Sequence, residues 1–203
     1  QPLCYAFEDH PRVGWVKLNS VSKLGIFMCA NVSPDGIDRF LWIDVETTGL
    51  DELRCELLEV AALVTDSQLR EIDEGVDIVI HAPQSSLEQM PRVVKDMHTT
   101  SGLIGEVQQS SVSLREAERA VLDYMDRHFG SEEKVIMAGN SITLDRNFLR
   151  RFMPQVDEHL HYRMIDVSTL KELMRLWSPG GFANVPQKVF AHRALGDIRE
   201  SID

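Results

Sequence analysis

The chain has 203 residues, 43% of them hydrophobic and 26% charged, and a formal net charge of −11. This is a one-domain length with ordinary globular composition, and no apolar run approaches the roughly 20 residues of a membrane span, so no membrane association is expected. The acidity excludes a generally basic face for gripping long nucleic acid, but not a short substrate held by a few groups; acidity by itself is first a matter of solubility.

Residues 1–39 show no clear periodicity and balance Glu8, Asp9, Asp35 and Asp38 against Arg12, Lys17, Lys23 and Arg39. They are read as an N-terminal extension of unknown order, and Gln1 in first place as a missing native start or a processed end. An organelle transit peptide would be Arg-rich and poor in acids, unlike this segment. Cys4, Cys29 and Cys55 are odd in number and lack paired metal spacing. Reduced thiols in an intracellular protein, of cytoplasm or mitochondrion, are therefore expected.

Phe40 to Val45 is a short apolar, β-branched run closed by Thr47-Thr48-Gly49, the pattern of a buried strand. Glu59 to Thr65 and Gly75 to His81 predict two more strands, joined to it as an antiparallel meander. Helical signals follow: Ser113 and Glu116 form a capping box, and Ala117, Ala120, Val121, Tyr124 and His128 recur at helical spacing. Val135 to Ala138 predicts a strand, and Gly139-Asn140-Ser141 a turn capping a helix that runs to Met153 and is stopped by Pro154. Tyr162 to Ile165 is a further strand, and Leu170, Leu173, Met174 and Trp177 share one face of the next helix. Residues 178–191 read as a loop, and the last helix starts near His192. The order is that of an α/β domain with a mixed sheet, over residues 40–203.

Asp44 and Glu46 end the first strand two residues apart, so both carboxylates emerge on one face. Two such charges repel, and a divalent cation with oxygen ligands relieves them; a solvated strand end is the plain alternative. Asp145 lies in the first turns of a helix, where an acid is often only a dipole complement. His192 and Asp197 are five residues apart, about 500° of helical turn. They converge only if His192 stands in the loop before the helix.

Taken together, Asp44-Val45-Glu46-Thr47-Thr48-Gly49-Leu50, Gly139-Asn140-Ser141 leading to Asp145, and His192 with Asp197 resemble the DEDDh 3′→5′ exonucleases. His161-Tyr162-Arg163-Met164-Ile165-Asp166-Val167-Ser168-Thr169-Leu170-Lys171-Glu172-Leu173 and His98-Thr99-Thr100-Ser101-Gly102-Leu103 resemble the oligoribonuclease branch. The resemblance runs from about residue 40 to the end of the chain. It implies an RNase H-like five-stranded mixed sheet flanked by helices, two Mg²⁺ or Mn²⁺ ions per site, a homodimer, and short RNA degraded to mononucleotides. It casts Asp44, Glu46, Asp145 and Asp197 as metal ligands and His192 as general base. It further implies that Leu50 wedges between terminal bases and that His98 lies near the bound nucleotide. Ser141, Arg163 and Ser168 would cap a 5′ phosphate, with Tyr162 supplied by the partner subunit. Three departures stand out: Val93 where a stacking aromatic residue is common, Gly196 before Asp197 where many members have two acids, and an end at Asp203 inside an expected longer helix. A DEDDh nuclease acting on DNA or longer RNA ends, and an inactive nucleic-acid-binding module, are the rival readings.

Overall fold

Leu57–Asp66 of the computed structural model alternates no polar and apolar faces: nine of its ten residues are buried, as only an inner strand of a sheet covered on both sides can be. The structure describes residues 39–130, 134–184 and 192–203. The expected extension up to residue 38 and the 185–191 part of the expected loop lie outside the described residues. β1 (Arg39–Thr47) pairs antiparallel with β2 (Leu57–Asp66), which pairs antiparallel with β3 (Val76–Val79). These three form the expected meander. β4 (Val135–Gly139) and β5 (Leu160–Asp166) continue the sheet in parallel on the other side of β1, in the order β3-β2-β1-β4-β5. This is the mixed five-stranded sheet the sequence implied.

Three short helices, α1 (Gln84–Glu88), α2 (Arg92–Thr100) and α3 (Leu103–Gln109), cover the end of β2 through Leu58, Leu87, Met90, Leu103 and Val107. α4 (Leu114–His128) begins at the expected capping box: the Glu116 amide donates to Ser113 Oγ at 3.3 Å, and the Ser113 amide to Glu116 Oε2 at 2.8 Å. α5 (Thr143–Phe152) starts without a side-chain cap, so the Gly139-Asn140-Ser141 turn does not cap it as expected. Pro154 does end α5, but it also opens α6 (Pro154–His159) at a first-turn position where its missing N–H costs nothing. α7 (Val167–Trp177) takes Asp166 as its cap, and a short α8 (Pro179–Phe182) occupies part of the expected loop. α9 (Ala194–Ile202) closes the chain.

β1 lies at the centre and is buried on both faces. Leu41, Ile43 and Val45 pack with α4 and α5 residues such as Val121, Tyr124, Phe148 and Leu149. Trp42, on the opposite face, packs with Ala61, Leu63 and Ala138 and with Ala194 and Ile198 of α9. Each large side chain so buried contributes roughly 1.5–3 kcal/mol. Gly139 lets β4 pass close to β1, since a Cβ there would stand 3.0 Å from the Ile43 carbonyl and closer still to Ile142. Trp42, Asp44 and Glu46 share one face by strand alternation, so α9 lies against the face that carries both carboxylates.

Candidate active site

Asp44, Glu46 and Asp197 each bring a carboxylate oxygen within 4.8 Å of the other two. Strand alternation sets the first pair; the packing of Ala194 and Ile198 on Trp42 brings the third down from the first turn of α9. His192 stands in the loop before that helix, with Arg193 as its N-cap, which is the arrangement convergence required. Its φ of 50° lies in the left-handed region, at a cost of roughly 1–3 kcal/mol for a side chain with a Cβ. Asp145, in the first turn of α5, is buried and reaches the main chain of β1 between Asp44 and Glu46, close enough for its charge to act on Glu46. Its Oδ1 accepts the Val45 amide at 3.0 Å.

Burial governs the charge state here. Burial, followed by Asp197, Glu59 and Asp145, pushes the Glu46 carboxyl up to about 8, while Arg193 opposes the rise. Burial likewise pushes Asp145 up to about 7, despite the amide it accepts from Val45. A cluster of oxygen-only donors with suppressed ionisation is the environment a hard divalent cation relieves, so the residues fit such an ion.

His98 is fully buried under the cluster. Its Nε2 lies 2.9 Å from the Thr47 carbonyl and donates to it, which leaves Nδ1 as an acceptor 3.9 Å from Glu46 Oε2. Burial lowers its pKa, so the ring is neutral. Leu50, by contrast, three residues past the end of β1, is 75% exposed, and Val93 is exposed as well. The turn that presents Leu50 is tied by the Thr48 amide on the Glu56 carbonyl and the Glu56 amide on Thr48 Oγ1, at 3.0 and 2.9 Å.

At the β4 and β5 ends, one carboxylate oxygen organises two of the expected phosphate-binding residues. Asp166 Oδ1 accepts the Ser141 amide at 2.8 Å, the Ser168 amide at 2.8 Å and the Ser168 hydroxyl at 2.7 Å. Ser141 has a φ of 61°, a left-handed turn that this amide bond holds in place. Arg163 and Tyr162 lie on the outer strand β5, where Tyr162 is 73% exposed and the Arg163 guanidinium sits 5.3 Å from its ring. The structure thus groups Asp44, Glu46 and Asp197 directly and adds Asp145 through β1. It gathers Ser141 and Ser168 at Asp166, with Tyr162 and Arg163 pointing outward.

Sequence reasoning missed Asp166, Glu59 and Arg193. Asp166 stands two residues before Ser168, the spacing at which an Asp caps the amide of i+2. Glu59 is a charge inside the apolar run Leu57-Leu58-Glu59-Val60-Ala61, and a lone acid inside a buried strand must have a partner.

An exonuclease family model matches residues 41–203. An oligoribonuclease of Corynebacterium diphtheriae is 53% identical over 165 residues, covering 81% of this chain and 79% of that protein. One of Rhodococcus jostii is 54% identical over 165 residues, covering 81% and 83%. Among solved structures, the zinc-bound form of the E. coli exonuclease I–single-stranded DNA complex superposes with a TM-score of 0.62 at 16% identity, over 81% of this chain and 39% of that one. Exonuclease I from Methylocaldum szegediense gives 0.60 at 19% identity, over 81% and 38%. The chain spans about two fifths of these exonuclease I chains, and at such identity they speak for the RNase H-like fold alone.

Proposed function

The chain belongs to the oligoribonuclease family of exonucleases, and from that premise we propose that it degrades short oligoribonucleotides from the 3′ end to mononucleotides by metal-dependent hydrolysis. The observation that carries the reading is the convergence of Asp44, Glu46 and Asp197 at the end of β1, beneath a helix that begins just after His192. Asp44, Glu46 and Asp197 would hold divalent cations, with Asp145, anchored on the Val45 amide beside Glu46, completing the set. Two Mg²⁺ or Mn²⁺ ions, when bound, supply charge stabilisation for the attacking and leaving oxygens of an in-line displacement.

The chain's own residues do the remainder. His192 accepts a proton from the attacking water. The water oxygen bonds to the phosphorus of the 3′-terminal nucleotide, the bond from that phosphorus to the preceding 3′ oxygen breaks, and the released oxygen takes a proton from solvent. A mononucleotide 5′-phosphate and a shortened oligomer with a free 3′ hydroxyl result. Leu50, exposed past the end of β1, wedges between the last two bases. His98 lies under the site of the terminal nucleotide and holds the Thr47 carbonyl in place, next to Glu46. Ser141 and Ser168, tied together by Asp166, receive the 5′ phosphate with Arg163, whose planar fork pairs with phosphate bidentately.

The phosphate end is read as composite. α7 has no buried residue among those described, and Leu170, Leu176 and Trp177 on it are exposed, as are Tyr162 and Met164 of the outer strand β5. Such a patch at a sheet edge favours a homodimer in which Tyr162 enters the partner's site. Among the described residues no helix is long and apolar enough to cross a membrane. The relatives are bacterial, which favours an intracellular, cytoplasmic reading and lends nothing to a mitochondrial one.

The deciding experiment is turnover of a 5′-phosphorylated RNA series, from the dinucleotide to a decamer, with Mn²⁺. Fastest hydrolysis of the shortest members is expected. Uniform rates along the series, or preference for long DNA, would return the chain to the general DEDDh nucleases.

A further inference from the structure

Glu59 sits directly opposite Glu46 in the β1–β2 register, with its side chain fully buried. Like charges opposite one another across a strand pair are destabilising, and a buried carboxylate without a cation costs more. The cation is Arg193, 134 residues away in sequence and immediately after His192. Its Nε donates to Glu59 Oε1 at 2.9 Å, and Nη2 lies 2.7 Å from the same oxygen. The other Glu59 oxygen, Oε2, accepts the Ala194 amide at 3.0 Å. On its outer side the guanidinium makes a two-pronged pair with Glu106 of α3, Nη1 to Oε1 and Nη2 to Oε2, both at 2.8 Å.

We propose that Arg193 is a positioning residue for His192: clamped between Glu59 and Glu106, it fixes the backbone that carries His192. The inference rests on the assignment of His192 as general base made above.

His192 adopts a left-handed backbone, which persists only where its surroundings over-determine it. The clamp grips the chain at the next two residues, by side chain at Arg193 and by amide at Ala194. The Arg193 carbonyl accepts the Asp197 amide at 2.9 Å, a main-chain bond that a side-chain substitution at 193 leaves in place, so Asp197 is held independently of the clamp. A guanidinium suits this position because one planar fork reaches both carboxylates, whereas an ammonium supplies charge without the fork. A base displaced by an ångström costs on the order of 10²-fold in rate.

Arg193→Ala strands a buried Glu59 and risks the fold, so the informative variants are Arg193→Lys and Glu106→Gln. Arg193→Lys keeps the charge beside Glu59 and Glu46. It is expected to retain a Tm and a Mn²⁺ affinity near wild type while kcat for a 5′-phosphorylated dinucleotide falls roughly 10- to 100-fold. Glu106→Gln loosens only the outer half and should show a smaller fall in the same direction. In a His192→Ala background, Arg193→Lys should bring no further loss, because the residue it positions is gone. Wild-type kcat in both single variants, or the same fold-loss with and without His192, overturns the positioning role while leaving the base assignment standing. Wild-type kcat in His192→Ala alone overturns the base assignment, and the positioning role with it.

Discussion

Trp42, Asp44 and Glu46 of β1 face inward beneath α9, whereas Tyr162, Arg163 and Met164 of β5 are exposed at the sheet edge, and only β4 separates the two strands. Around the inner strand, carboxylates are crowded and screened from water, and burial pushes Glu46 of β1 and Asp145 of α5 far above their ordinary range. On the outer strand the charged and aromatic groups are solvated. The inner region is therefore poised for a strong local interaction with cations. The outer one presents charged and aromatic side chains to solvent, and the proposed reading of substrate length rests on them.

The largest effect should come from the inner region. Asp44→Ala and Asp145→Ala are each expected to abolish hydrolysis at saturating Mn²⁺; Asp44→Ala should leave the metal-free fold intact or slightly stabilised because repulsion is relieved, whereas Asp145→Ala strands the Val45 amide and should cost about 1–3 kcal/mol. Either variant keeping more than about a tenth of the wild-type rate would refute the metal-site assignment, since a metal ligand's loss costs far more.

Next comes the base. His192→Ala should lose roughly 10²- to 10⁴-fold in rate while still binding Mn²⁺. Should excess Mn²⁺ restore the full rate, His192 is a ligand, and the division between the cluster and its base disappears.

The outer region should show a loss that depends on length. Arg163→Ala is expected to slow a 5′-phosphorylated dinucleotide far more than a decamer, because the shortest substrate has fewest other contacts to share the binding energy. Removing the 5′ phosphate should reproduce the variant on the wild-type protein. Mixed dimers of Tyr162→Ala and Asp44→Ala chains should keep at most one complete site. Equal losses at all lengths would mean that no phosphate cap exists.

The smallest effect is on stability, and its sign is unusual. Glu46 and Asp145 have folded-state values raised above the ordinary carboxylate values of 4.5 and 3.8, to about 8 and about 7. The folded, metal-free protein thus holds more protons than the unfolded chain between those limits, and its stability should fall as pH rises through that window. Urea midpoints in EDTA at about pH 5 and about pH 8.5 measure the fall, and Mn²⁺ should reverse it by binding the deprotonated carboxylates. A midpoint that rises with pH in EDTA would show that these groups are not suppressed by burial.

Much of the local order is legible in the residues themselves. The apolar run ending in Asp44 and Glu46, the Ser113–Glu116 box and the stop at Pro154 are short-range patterns, governed by strand alternation, capping and the missing proline N–H. The same patterns underdetermine what lies between elements. Pro154 reads as an end, where the structure has both an end and a beginning. The turn at Gly139-Asn140-Ser141 is held by Asp166 rather than capping α5.

What the sequence determined by itself was the kind of protein and the identity of its acidic residues, because spacing along β1 alone puts Asp44 and Glu46 on one face. Only the tertiary structure decided which acids actually meet. Asp197 joins them because Ala194 and Ile198 pack on Trp42, and Asp145 comes in from α5 to the Val45 amide, between Asp44 and Glu46 in sequence. It also decided that Glu59, Arg193 and Glu106 form one clamp, since no local rule relates residues 87 and 134 positions apart. Burial has the same origin: a carboxylate's ionisation depends on what the distant parts of the chain exclude from around it, and that is settled only when the core closes.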